Sequence, residues 1–477
     1  MNKIIKNIAL WTVAAVMPLS TASCSDEPEV SRWSVHEPVV TADAPDEGIH
    51  TMKAPLYWTV YEYLWKLERQ GVPSSQMDIT EKQWDLLIDW FCENLKPYGY
   101  DMLCTDGFLT MKNEGQLYMT HYGSMDIAKL AQKCKDRGIR LGIYDNPMWL
   151  RNADTDVIPG TEYTIRDLKY TRNDKVKHRN SSDKYFNWAI ATHPGCKEYI
   201  DGFFKYYSEL GVNYIRIDFL SWYEDGEDRG MGIVGRGYGR ENYKLALEYI
   251  KESAAKYDVF VSLVMPNCFN NAEYEREYGH MFRVVADTYY GGWAHFSSNN
   301  RRRAFGRWPN CYNMFDGFIY WSKVAGRGRV IMDGDFTRLN TFETDEQKQS
   351  VISLQLLAGG PIAVADWPFT VGDNMPFYQN EELLALNTDR FAGRPLTDNL
   401  IDQRNQIWYG QMTNGDWVVG LFNRDETPMP VSLQFSELGL HGAYNMRDLW
   451  THTDEGSAEG VEVTLPAYGC KILRLSR

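Results

Sequence analysis

The sequence predicts an α/β fold, a (β/α)8 TIM barrel followed by a C-terminal antiparallel β-sandwich, and three observations carry that expectation. Short apolar strands alternate with amphipathic helices across residues 56–365, which is the rhythm of a parallel sheet. After about Leu386 the helices stop and hairpin-linked strands take over. The 477 residues also exceed one ordinary core, yet suit a barrel of roughly 250 residues or more plus a smaller domain.

Taken in order, the strands are expected at 56–60, 101–105, 140–144, 214–217, 259–264, 282–286, 329–332 and 361–365. Eight of them favour a closed barrel over an open sheet. Thr80 and Gln83 form a capping-box pattern ahead of Trp84, Leu87, Ile88, Phe91 and Leu95, which fall at helical spacing. Further helices are expected after Ser124, stopping at Gly138, from Pro194-Gly195 to Gly211, and at 242–257, 315–325 and 344–357. Beyond the barrel, 406–412 and 417–422 flank the Asn414-Gly415 turn as a hairpin, and strands at 430–435, 443–449, 461–465 and 470–475 complete the sandwich. The domain division that follows is 51–388 for the barrel and 389–477 for the sandwich, whose expected role is packing against the barrel.

Residues 1–23 have a targeting signature: Lys3 and Lys6, a largely apolar run over 8–19, then small residues. Thr21-Ala22-Ser23-Cys24 is similar to a bacterial lipobox, with Thr21 where that motif usually has Leu. Cys24 is therefore the expected lipidation site, and 24–50, rich in Pro, Asp and Glu, a tether. The acidic Ser25-Asp26-Glu27 resembles a surface-export signal of lipoproteins, so the expected location is the outer membrane, reached only through an N-terminal lipid anchor. A net charge of −14 excludes nucleic acid as a partner, because there is no basic surface to displace phosphate counterions. The other seven cysteines lack metal-ligand spacing, and neither a metal nor a cofactor is expected.

The informative pattern is where carboxylates fall. Asp106, Asp145, Asp218, Asp287, Asp333 and Asp366 each stand at or just past the end of an expected strand, and in a barrel those ends open onto one face, where the chemistry is done. One such Asp is commonly a cap; six are poorly explained that way. Arg216 precedes Asp218 by two and Arg283 precedes Asp287 by four, so each arginine is expected on the side of its carboxylate.

These stretches also carry a family resemblance. Tyr214-Ile215-Arg216-Ile217-Asp218 resembles the nucleophile strand of glycoside hydrolase family 27, the α-galactosidase and α-N-acetylgalactosaminidase family. The run from Tyr278 to Asp287, with Arg283 four before Asp287, resembles that family's acid/base strand. Asp333 and Asp335 are similar to its Asp-x-Asp, and LQLLAGGPIAVADW over 354–367 to its last helix and strand. The resemblance runs from about Ala54 to the C-terminus. It departs from the family at Arg216, usually Lys, at Thr105-Asp106, usually paired aspartates, and at Met265-Pro266-Asn267, where galactose and N-acetylgalactosamine are told apart.

What the resemblance implies is a retaining hydrolase of α-galactoside-like glycans, with Asp218 as nucleophile and Asp287 as general acid/base. It implies two carboxyl groups about 5 to 5.5 Å apart and a carbohydrate as the partner bound. Trp58 is expected as a stacking platform, and Asp106, Asp145, Arg216, Arg283 and Asp333 as substrate-binding residues. The departures leave open a β-L-arabinopyranosidase, an α-N-acetylgalactosaminidase or an isomaltose-releasing dextranase on the same scaffold, and, in another class, a surface glycan-binding lipoprotein without turnover.

Overall fold

The computed structural model describes residues 53–477, apart from 74, 170–184, 229–230, 289, 298–312 and 327–328. The leader, Cys24, the tether and Cys311 therefore lie outside the described residues. Nine parallel strands form the main sheet: β1 (Leu56–Thr59), β2 (Met102–Cys104), β3 (Arg140–Tyr144), β4 (Tyr214–Ile217), β5 (Phe260–Leu263), β6 (Met281–Arg283), β7 (Ile331–Asp333), β8 (Phe336–Thr337) and β9 (Ile362–Val364). Their spatial order is β7-β6-β5-β4-β3-β2-β1-β9-β8. The two edge strands, β7 and β8, are separated in sequence only by Gly334 and Asp335, so the sheet's edges lie within about 11 Å of each other. The sheet is thus curled into a TIM-like barrel, with one stretch of chain serving both edges.

The strands are shorter than the apolar runs suggest, because the chain leaves the ladder early to build the loops above it. The run expected as strand 282–286 pairs only over β6, and that expected at 329–332 pairs as β7 from Ile331 to Asp333; past Asp335, which adopts a φ of +68°, the chain adds the two-residue β8, which no expected run covers.

Side-chain alternation splits the barrel into two cores. Tyr57, Met102, Cys104, Tyr214, Phe260, Met281 and Ile331 point inward and fill the barrel axis. Trp58, Leu103, Ile143, Ile215, Val261, Phe282 and Met332, one residue later or earlier, point outward to the helix layer. Gly142 is the inward exception, since a Cβ there would meet the Met102 sulfur and the Tyr214 ring at 2.9 Å. Neighbouring large side chains have taken its volume.

The helices follow their sequence signals. In Glu81–Asn94, Thr80 caps the first turn and the Gln83 side chain returns to the Thr80 N–H at 2.8 Å, a device worth about 1 kcal/mol. Its buried face is Trp84, Leu87, Ile88 and Phe91, which docks on the outside of the barrel.

The C-terminal strands form an antiparallel β-sandwich. Ile407–Gln411 pairs with Trp417–Phe422 across the Asn414-Gly415 turn, and Met429–Gln434 pairs with Gly460–Leu465 in the second sheet. The seam with the barrel is built, not incidental. Arg424 reaches Asp316 at 2.7 Å and Ser297 Oγ at 2.6 Å, both partners buried, with its guanidinium 4.4 Å from the Phe315 ring centre.

Candidate active site

The inward-facing residues at the upper ends of the strands are mostly charged. Above the apolar plug stand Arg216 on β4, Arg283 on β6, Asp333 on β7 and Asp335 just beyond it, all at most 4% exposed. Arg216 donates through Nη1 to Asp333 at 3.0 Å and through Nη2 to Asp335 at 2.9 Å. Arg283 donates to Asp335 at 2.9 Å and pairs with Asp287. The result is a chain of alternating charge, Asp333–Arg216–Asp335–Arg283–Asp287, ending at the pocket. Burial works against the Asp335 charge, but Arg283 and Arg216 outweigh it and hold that carboxyl below the usual range, helped by the Thr288 N–H at 2.9 Å.

Asp218 and Asp287 sit over this lattice and remain part-exposed. Asp218 accepts the Tyr144 hydroxyl at 2.7 Å on Oδ2 and the Phe219 N–H at 2.6 Å on Oδ1. Its backbone carbonyl accepts Asn146 Nδ2 at 2.8 Å. Burial raises the Asp218 carboxyl above the usual range and the facing Asp287 charge adds to this, while Arg283, Tyr144 and the Phe219 N–H oppose them. Asp106, on the other side of the pocket, is pushed up to about 7 by burial, against the pull of Arg216.

Phe219 explains how the loop after β4 keeps Asp218 in place. Its φ of +62° is unfavourable for a side chain with a Cβ, by about 1–2 kcal/mol. Its ring is fastened by Trp222, Phe186 and Trp149, with centroids 4.3, 5.2 and 6.0 Å away. The strained backbone aims its own N–H at the Asp218 carboxylate.

Four of the six strand-end aspartates come together at this pocket, Asp106, Asp218, Asp287 and Asp333. Two do not. Asp145 follows inward-facing Tyr144 and so points outward, where it is buried against Tyr207 (2.7 Å) and Arg151 (2.6 Å). Asp366 likewise faces out and accepts the backbone N–H groups of Leu339 and Asn340. The substrate contact expected of Asp145 is therefore corrected to a structural ion pair. Trp58 is corrected on the same ground: it is fully buried outside the barrel axis, its indole N–H on the Asp366 carbonyl at 2.8 Å.

Arg216 and Asp333, 2% and 0% exposed, have almost no surface to offer a sugar and support the pocket from beneath. Arg216 neutralises Asp333 and Asp335, not Asp218 as the two-residue spacing suggested. Sequence reasoning missed Tyr144, Asn146 and Phe219. Tyr144 follows from the pleat only once Asp145 is known to point outward, and nothing in the run 140–144 marks that phase.

Chemically, the pocket gathers Asp106, Asp218, Asp287, Asp333 and Asp335 around two arginines, leaving an excess of negative charge in a largely desolvated site. Such a site favours a transition state with positive charge on the reacting carbon, as in the oxocarbenium-like cleavage of a glycosidic bond.

Comparison with known proteins agrees with this chemistry. Residues 402–475 match the α-galactosidase C-terminal β-sandwich domain family. The chain is 36% identical over 441 residues to an isomalto-dextranase of Arthrobacter globiformis, covering 88% of this chain and 67% of that protein. It superposes on the isomalto-dextranase of Arthrobacter globiformis T6, solved in complex with panose, with a TM-score of 0.81 at 35% identity, over 90% of this chain and 73% of that one. A β-L-arabinopyranosidase of Geobacillus stearothermophilus shares the fold, at a TM-score of 0.67 and 18% identity over 90% of this chain and 97% of the other. The chain accordingly belongs to the glycoside hydrolases of the family 27 type, the group that holds isomalto-dextranase together with the α-galactosidases.

Proposed function

We propose that the protein is a retaining glycosidase of the isomalto-dextranase kind, cleaving α-linked glucan chains such as dextran. The similarity to an isomalto-dextranase along 88% of the chain supports this substrate class over the α-galactosides that the sequence motifs suggest. The carboxylate arrangement supports the roles. Asp218, ionised and steadied by Tyr144 and the Phe219 N–H, attacks the anomeric carbon while the glycosidic bond breaks. Asp287 enters this step as the neutral acid, its ion pair with Arg283 given up, and gives its proton to the departing oxygen. A glycosyl ester on Asp218 results, and water, deprotonated by Asp287, then displaces the sugar with net retention.

The test is to assay purified protein on dextran, isomalto-oligosaccharides, panose and aryl α-galactoside while following the product anomer by NMR. Dextran cleavage with a retained anomer is expected, and Asp218→Asn should lose activity by about a thousandfold or more. An inverted product, or full activity of Asp218→Asn, would remove the nucleophile role. Binding of glucan without turnover would favour a non-catalytic glycan-binding protein instead.

A further inference from the structure

The rim of the pocket carries an aromatic surface that the reaction at Asp218 and Asp287 does not use. Tyr290, three residues beyond Asp287 on the loop after β6, is 46% exposed. Its ring meets the edge of Trp65 at a centroid distance of 5.8 Å and an interplanar angle of 89°. Trp65 lies on the helix Tyr61–Arg69 that follows β1, and it packs on the top of the barrel-axis core. The two residues therefore join the loop after β6 to the helix after β1.

Two guanidinium groups frame the rings. Arg338, buried and paired with Glu62 at 2.9 Å, lies 4.7 Å from the Trp65 ring centre. Exposed Arg69 lies 5.9 Å from Trp65 and 5.6 Å from Tyr290. Arg338 thus belongs to the protein's interior, whereas Arg69 presents its donors at the surface. With Arg338 and Arg69 over Trp65, what remains for a pyranose is the exposed part of the Tyr290 ring, on which its C–H face can rest, with the Arg69 donors alongside for its hydroxyls.

We propose that Tyr290, Trp65 and Arg69 form an outer glucosyl-binding subsite, which holds a second sugar unit of the substrate chain beside the Asp287 loop. This rests on the α-glucan reading above. The subsite lies on the leaving-group side, because the acid that protonates the bridging oxygen stands at the start of the loop that carries Tyr290. A monosaccharide glycoside would leave it empty; a chain would fill it.

The experiment is isothermal titration of isomaltopentaose into the full chain carrying Asp218→Asn, with and without a rim substitution. Tyr290→Ala should weaken binding about five- to tenfold, the size of one aromatic contact. Tyr290→Phe should restore it, since the ring and not the hydroxyl does the stacking. Arg69→Ala should weaken binding by a smaller factor, and melting temperatures should stay unchanged because both residues are exposed. Affinity within twofold of the parent in Tyr290→Ala would overturn the subsite alone. Failure of the Asp218→Asn parent to bind isomaltopentaose at all would overturn the subsite together with the α-glucan reading.

Discussion

Replacing Tyr144 by Phe isolates what one hydrogen bond contributes to the pocket. The ring fills its place between Gly107 and Trp149, so packing is kept: a Cβ on Gly107 would already meet the ring at 2.8 Å, and the Trp149 centroid is 6.1 Å away. What disappears is the O–H donor 2.7 Å from Asp218 Oδ2. A hydrogen bond to a charged group contributes about 1.5–3 kcal/mol net. The Tyr144 hydroxyl lowers the Asp218 carboxyl from where burial has raised it, so its loss lets that carboxyl rise further. At about 1.4 kcal/mol per tenfold change, the acid limb of kcat/KM, which reports the free enzyme's essential base, should move up by about 1 to 2 pH units. The Phe219 N–H still holds Oδ1, so activity should recover at high pH. The assay is kcat/KM against pH on the best glucan substrate for wild type and Tyr144→Phe. A uniform loss at every pH, with the acid limb unmoved, would mean that the Tyr144 hydroxyl does not steady the Asp218 charge and is a contact to the sugar instead.

Two further outcomes concern stability. Asp106 has a folded-state carboxyl pushed from 3.8 up to about 7 by burial, so it stabilises the fold below about pH 4 and that contribution is lost as pH rises towards 7. Asp106→Asn cannot ionise, and urea unfolding should show it gaining on wild type between pH 4 and 7.5 by on the order of 4 kcal/mol; a parallel pH dependence in both proteins would contradict this. Arg216→Met leaves Asp333 without its guanidinium and Asp335 with only Arg283, a loss of about 3–5 kcal/mol for a broken buried pair, read as a lowered melting temperature. An unchanged melting curve would mean the two carboxyls have protonated at no cost.

Much of the barrel could be read from the chain because its signals are local. The Thr80–Gln83 cap, the helical spacing of Trp84 to Phe91 and the Asn414-Gly415 hairpin all act within a few residues, and each appears in the structure. The presence of carboxylates at strand ends was equally legible. Which of them face the pocket was not, because that depends on the pleat phase of each strand. Asp218 shares phase with inward Tyr214 and Arg216, whereas Asp145 follows inward Tyr144 and so turns to the helices. An apolar run such as 140–144 reads the same in either phase, since both faces of a barrel strand are buried.

Local signals in the chain marked most of the barrel strands and their order, and its motifs pointed to the family and to Asp218 and Asp287 as candidates. The partners came from the folded barrel: Arg216 turned to Asp333 and Asp335, residues 117 and 119 positions away, and Asp218 was left to Tyr144, 74 positions back. Charge pairing inside a barrel is set by which strands lie side by side once the sheet has curled. Such neighbours are distant in sequence, so no spacing along the chain records them.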